Sequence, residues 1–374
     1  MTPDQGAGHP RPDGKAEEER VVELRETTTP PGGMRGPASR AAINQGSPGM
    51  AEGTGPGAPG RKPPVVIAVV VTYNRRQLLL EALAAVHSQS RAPDAVIVVD
   101  NASTDGTAAT VRSRYPSVRL AELVRNTGGA GGFACGMALA LAGAADLVWL
   151  MDDDTVPGPD ALRALLDARE RLPAPPPVLV ASRVLWTDGR AHPMNTPRAK
   201  PFASRAERVA AATVGCVPIR SASFVSVLVD ADLCRQRGLP QADYFLWNDD
   251  FEFTTRLLRG NTGLLCPASV VTHKTAAFAA TDTDPGERFF YEVRNKIWML
   301  RTRAPLAPAE RVLYAGSTLR RWARTFARSR DRGTLRRSLA SGIAAGLRTR
   351  PRPPEQVLAE AGLRVPEAQQ RADA

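Results

Sequence analysis

Three carboxylates in a row, Asp152, Asp153 and Asp154, close an apolar run at 147–151. A buried strand cannot carry three adjacent anions, so they belong at its end, in solvent or on a cation. Two carboxylates with one residue between them, here Asp152 and Asp154, are well placed to grip a divalent metal already bound to a diphosphate. Alone, such a triplet reads as a solvated acidic loop. A second acidic group far downstream, Asp249, Asp250 and Glu252 beside Trp247, and a lone His273 after it move the reading toward a site. The downstream acids read equally as helix N-terminal carboxylates that complement the helix dipole.

Other polar groups fall at the ends of apolar segments. Residues 65–71 are almost all β-branched and run into Thr72 and Asn74, and the run 95–99 closes on Asp100. Asp100 can accept from a ribose hydroxyl or hold a turn, and the company it keeps favours the ligand. Asn126 precedes a stretch containing Gly128, Gly129, Gly131 and Gly132, where bare backbone and a helix start offer free N–H groups to a phosphate. Gly129, Gly131 and Ala134 also fit a relaxed dinucleotide fingerprint, but in the third strand–helix unit, where a nicotinamide oxidoreductase would carry it in the first.

The elements that must position these groups alternate. Strands at 65–74, 95–100, 118–123 and 147–151 are separated by helices at 75–88 and 107–115 and by the glycine loop with its buried helix. This is the pattern of an α/β fold, a mostly parallel sheet with helices on both faces. In such sheets ligands sit beyond the carboxyl ends of the strands. Further strands are expected at 178–186, 223–229 and 264–272, helices at 161–171 and 249–259, and a loop or lid at 188–209. Residues 1–62 are rich in Gly, Pro and charge and are expected to be disordered. The catalytic domain is expected at 63–300, and a basic helical region at 301–374.

The net charge of +11 is concentrated. Residues 294–352 carry fifteen arginines and one lysine against Glu310 and Asp331, a net +14, which leaves the rest of the chain at −3. A helix past Pro308 places Val312, Ala315, Leu319, Trp322 and Phe326 on one face, and is read either as a packed helix or as a helix lying on an anionic membrane. The tail lacks the aromatic interleaving of a single-strand binding platform, so no nucleic-acid partner is expected. The four cysteines show no C-x-x-C spacing and the amino terminus has no signal-type apolar core, which suits a reducing cytoplasm. The uncharged 128–145 stretch is too rich in Gly and Ala to read as a membrane span.

The Thr72-Tyr73-Asn74-Arg75 opening, Asp100 with Asn101, Ser103 and Asp105, the Arg125-Asn126 glycine stretch and the aspartate triplet together resemble family 2 inverting glycosyltransferases of the GT-A fold. The likeness covers about 65–295. The 245–252 segment with His273, Arg294 and Asn295 resembles the actinobacterial galactofuranosyltransferase branch, with dTDP-rhamnose-dependent rhamnosyltransferases as neighbours. The resemblance implies a nucleotide-sugar donor, UDP-galactofuranose in that branch, and a polyprenyl-diphosphate-linked cell-wall glycan as acceptor. It implies Mg²⁺ or Mn²⁺ on Asp152, Asp154 and His273, and Asp250 as the general base. Thr72, Asn74, Asp100, Asn126, Gly129 and Asp153 would lie along the donor, and Trp247, Asp249 and Glu252 along the sugars. The implied location is the cytoplasmic face of the plasma membrane, held peripherally by the basic helices.

Overall fold

The computed structural model describes residues 62–278, 284–302 and 304–363. The segment expected to be disordered, 1–62, lies outside the described residues except for Lys62. The strands are β1 (Val66–Thr72), β2 (Ala95–Asp100), β3 (Arg119–Glu122), β4 (Leu147–Asp152), β5 (Thr155–Pro157), β6 (Leu179–Leu185), β7 (Arg198–Ala199), β8 (Val217–Ser221), β9 (Val227–Asp230) and β10 (Gly263–His273). The helices are α1 (Arg76–His87), α2 (Thr107–Arg114), α3 (Gly128–Ala142), α4 (Ala161–Arg171), α5 (Arg205–Thr213), α6 (Ala231–Arg237), α7 (Asp249–Leu257), α8 (Phe289–Arg301), α9 (Pro308–Arg328), α10 (Arg332–Arg348) and α11 (Pro354–Glu360).

The strands form one sheet in the order β3-β2-β1-β4-β9-β6-β10-β8-β7, with β5 paired to β10. β3, β2, β1 and β4 run parallel, whereas β9 is antiparallel to both of its neighbours, β4 and β6. Every residue of β1 is buried because the sheet is covered on both faces. Ile67, Val69 and Val71 point to the α3 side, and Val66, Ala68 and Val70 to the α1 and α4 side. The fold is the mostly parallel α/β sheet that strand–helix alternation predicts.

Several local expectations are corrected. The glycine stretch is not a loop: α3 begins at Gly128, and its glycines let the helix lie close on the sheet. A Cβ at Gly136 would come within 2.2 Å of Val69. The expected strand at 223–229 begins later, as β9, and β8 precedes it where no strand was expected. The expected 188–209 loop contains β7 and the start of α5, whose Ser204 and Glu207 form a capping box. On α9, Trp322 and Phe326 pack against Phe289 as the expected face requires, whereas Val312 and Leu319 are exposed and Tyr314, Thr318 and Thr325 turn inward. Ion pairs set that rotation: Glu310 holds Arg220 of β8, and Arg321 holds Glu292 of α8.

The carboxy-terminal helices share the core with the sheet. Gly342 and Gly346 of α10 lie against Val293 and Ile297 of α8, where an added Cβ would come within 2.8 Å of each. Val357 and Leu358 of α11 belong to the same apolar cluster as β1 and α3. No helix among the described residues is long and apolar enough to cross a membrane.

Candidate active site

Register builds the first half of the site. Thr72 pairs with Asp100 and Val71 with Asp152, so the polar ends of β1, β2 and β4 lie side by side. β4 then turns back into β5, which pairs antiparallel with the end of β10 and sets His273 opposite Thr155. His273 is thereby brought to Asp154 from 119 positions away.

Asp152, Asp154 and His273 each offer a ligand atom within 4.8 Å of the others. His273 Nε2 lies 2.9 Å from Asp154 Oδ1, a buried oxygen with no other polar partner among the described residues. His273 Nδ1 lies 2.9 Å from Asn195 Oδ1, an oxygen that can only accept. With the hydrogen on Nδ1, the Nε2 lone pair faces Asp154. Two carboxylates and one imidazole fit a divalent cation of the Mn²⁺ or Mg²⁺ kind. Burial and the charge of Asp154 push Asp152 up to about 7. Burial also works against a charged Asp154, yet His273 and Arg75 outweigh it and hold that carboxyl below its usual value. The group is an over-concentrated negative site of the kind a cation relieves.

Asp153 points the other way. It accepts from Thr72 Oγ1 at 2.8 Å and pairs with Arg75 at 3.3 Å. Arg75 also reaches Asp154 Oδ2 at 2.7 Å. Thr72 and Asp153, expected along the donor, are thus bonded to each other and buried, and act as a brace between β1 and β4. Asp100 likewise holds a turn, with Oδ1 accepting from Ser103 N at 2.9 Å. Asn74 Oδ1 accepts from Thr104 N, and Asn126 Oδ1 from Gly128 N. Gly129 is exposed in the first turn of α3 and a Cβ there would meet nothing within 4 Å.

The second half of the site is a strained loop and the start of α7. Phe245, Trp247 and Asn248 have φ of 65°, 65° and 67°, a left-handed region that bulky residues rarely occupy. Asn295 of α8 holds them there. Its fully buried amide donates to the carbonyls of Tyr244, Leu246 and Trp247 at 3.0, 3.0 and 2.9 Å. Gly128 completes the support: its φ is +72°, and a Cβ there would lie 1.9 Å from the Phe245 carbonyl oxygen. Trp247 is half-buried.

Asp249 and Asp250 open α7 directly after this loop. Burial and Asp250 raise Asp249 well above the usual carboxyl range, and the charge of Asp152 adds to the rise. The charge of Asp152 thus bears on Asp249 at the start of α7. Burial also raises Asp250, while the charges of Lys296 and Arg198 pull it back. Glu252 is a correction. It forms a two-point buried ion pair with Arg256 at 2.8 and 3.1 Å, and Arg256 in turn binds the carbonyls that end α6. Its oxygens hold the fold and are not turned to a sugar.

Sequence reading missed Asn195, Asn295, Lys296 and Arg198. Only Asn295 left a signal, as part of the Arg294-Asn295 pair.

The mixed sheet, with an acidic strand end facing a second acidic helix start, defines a GT-A-type glycosyltransferase. Residues 67–224 match the family described as glycosyl transferase family 2. The chain is 31% identical over 254 residues to galactofuranosyltransferase GlfT1 of Mycobacterium tuberculosis H37Rv, across 63% of this chain and 82% of that protein. Over 94 residues it is 53% identical to galactofuranosyltransferase GlfT1 of Mycolicibacterium smegmatis, across 25% of this chain and 31% of the relative. The crystal structure of S. aureus TarS 1–349 in complex with UDP superposes with a TM-score of 0.50 at 17% identity, covering 79% of this chain and 83% of that one, a likeness of fold. The chain belongs to glycosyl transferase family 2 and is a glycosyltransferase.

Proposed function

We propose that this enzyme moves galactofuranose from UDP-galactofuranose to a hydroxyl of a polyprenyl-diphosphate-linked cell-wall glycan, with inversion at the transferred carbon. The observation that carries the proposal is the convergence of Asp152, Asp154 and His273 at the β4 end, whose charge reaches the Asp249–Asp250 start of α7. The likeness to two galactofuranosyltransferases favours galactofuranose over rhamnose.

Asp152, Asp154 and His273 would hold Mg²⁺ or Mn²⁺, which supplies positive charge against a departing diphosphate. Arg75 and Asp153 keep Asp154 in place. Asn74, Asp100, Asn126 and the exposed Gly129 border the nucleotide. Asp249 faces the donor sugar, where a carboxyl kept protonated by burial donates to a hydroxyl. Asp250 takes the proton of the attacking hydroxyl. Burial makes it a stronger base than an exposed aspartate, and Lys296 and Arg198 oppose that rise. Trp247 presents its ring to the acceptor glycan.

The enzyme meets its lipid-linked acceptor at the membrane through α9. Val312, Leu313 and Leu319 are exposed, and the exposed Arg320 and Arg324 lie on the same side. That combination suits an anionic lipid surface, where each basic residue contributes roughly 1 kcal/mol. Flotation with anionic vesicles should carry the protein at low salt, and Leu319→Asp should weaken the association.

A donor screen against a prenyl-diphosphate-linked disaccharide, read by mass spectrometry, tests the reaction. Galactofuranose addition is expected. Transfer from dTDP-rhamnose with none from UDP-galactofuranose would reject the donor and leave the reaction class.

A further inference from the structure

Two cations near Asp250 make no direct ion pair among the described residues. Lys296 of α8 is 4% exposed, and its ammonium makes no hydrogen bond or ion pair among the described residues. Its neighbour one turn back, Glu292, is already engaged: Arg321 and Trp322 hold one oxygen and Asn248 Nδ2 the other, at 2.7 Å. Arg198 of β7 also lacks an ion pair or hydrogen bond among the described residues. Both cations sit over the ring of Phe251, Lys296 Nζ at 4.1 Å and the Arg198 guanidinium carbon at 5.2 Å from its centroid. Phe251 directly follows Asp250, so the pair converges next to the proposed base.

A buried ammonium without an acceptor is costly, and a cation–π contact offsets only part of that cost. Burial, with Arg321 and Arg198 nearby, pulls Lys296 down to about 7 against the opposing charge of Glu292. Burial and Arg321 lower Arg198 as well, against Tyr314, Asp250 and Glu292. Three positive groups face one another, and only Arg321 is neutralised by contact.

We propose that Lys296 and Arg198 form an anion site that binds the diphosphate of the lipid-linked acceptor. The inference rests on the acceptor class proposed above. The donor diphosphate would take its counter-charge from a cation held by Asp152, Asp154 and His273. Lys296 and Arg198 instead bear on Asp250, the acceptor side. Anchoring the carrier diphosphate this close to the base fixes which hydroxyls can reach it.

The test uses the full chain and two acceptors with the same short glycan, one on a prenyl diphosphate and one on an uncharged alkyl aglycone. Wild type should prefer the diphosphate acceptor roughly tenfold or more in kcat/KM, the size of one charge-assisted hydrogen bond. Arg198→Gln, on the short strand β7 at the end of the sheet, should collapse that ratio toward one through KM. Lys296→Gln should do the same. In each variant the UDP–Mn²⁺ affinity measured by calorimetry should match wild type. A ratio that survives both substitutions, or losses of equal size on the two acceptors, overturns the anion site. Wild type that transfers equally well to both acceptors also overturns it while leaving the transferase reading intact. Wild type that binds UDP–Mn²⁺ but transfers to neither removes the acceptor reading, and the anion site with it.

Discussion

The two walls of the cleft are built on opposite principles. The β4 wall is short-range and rigid. Asp152 and Asp154 stand on a central strand, Arg75 and Thr72 brace the carboxylate between them, and His273 arrives through a strand pairing. The α7 wall is held at a distance. Its loop has three residues at positive φ, and the support comes from one asparagine on another helix. The first wall concentrates unrelieved negative charge and the second leaves two positive groups unpaired. Each lacks the counter-charge that a substrate would bring, which suits a reaction between a metal-bound diphosphate donor and an anionic acceptor.

That contrast can be broken at the acceptor wall first. Asp250→Asn should cut transfer by about 10²–10⁴-fold, the range for a general base, in a steady-state assay at saturating donor. A loss confined to donor affinity would place Asp250 on the wrong wall. Asn295→Ala should remove two N–H donors shared by three carbonyls and cost about 2 kcal/mol by denaturant unfolding, at about 1 kcal/mol per N–H. It should also raise the acceptor KM, and a stability loss without any kinetic effect would detach the loop from the acceptor. On the other wall, His273→Ala should weaken Mn²⁺-dependent UDP binding by at least about 100-fold, beyond what changes outside the ligand shell produce. The smallest effect is expected at Asn195→Ala, which frees the His273 ring to turn and should cost about tenfold in Mn²⁺ affinity by calorimetry, with UDP affinity in chelator unaltered.

The β4 wall was largely legible in the sequence and the α7 wall only in part. A continuous β-branched run ending in Thr72, and apolar runs ending in Asp100 and Asp152, announce strand ends, and a parallel sheet must then align them. The partners of those ends were less visible. Thr72 meets Asp153 across 81 positions, and no spacing rule reports such a pair. Asn195 and Asn295 act from loops and helices whose placement depends on tertiary packing. Glu252 shows the opposite failure. Its i, i+4 relation to Arg256 was available as a local signal, and the acidic neighbourhood masked it. The inner face of α9 was legible only in part: Trp322 and Phe326 pack inward, but Val312 and Leu319 do not, since the ion pairs of Glu310 and Arg321 accompany an inward Tyr314 and Thr318.

The central claim is a division of labour between the two walls, and one calorimetric comparison tests it most directly. UDP is titrated with and without Mn²⁺ into the Asp152→Ala/Asp154→Ala double variant and into Asp250→Asn, with transfer measured on the same samples. The account predicts that the double variant loses the Mn²⁺-dependent part of UDP binding, while Asp250→Asn keeps it in full and makes no product. Undiminished Mn²⁺-dependent binding in the double variant, or its loss in Asp250→Asn, would contradict it.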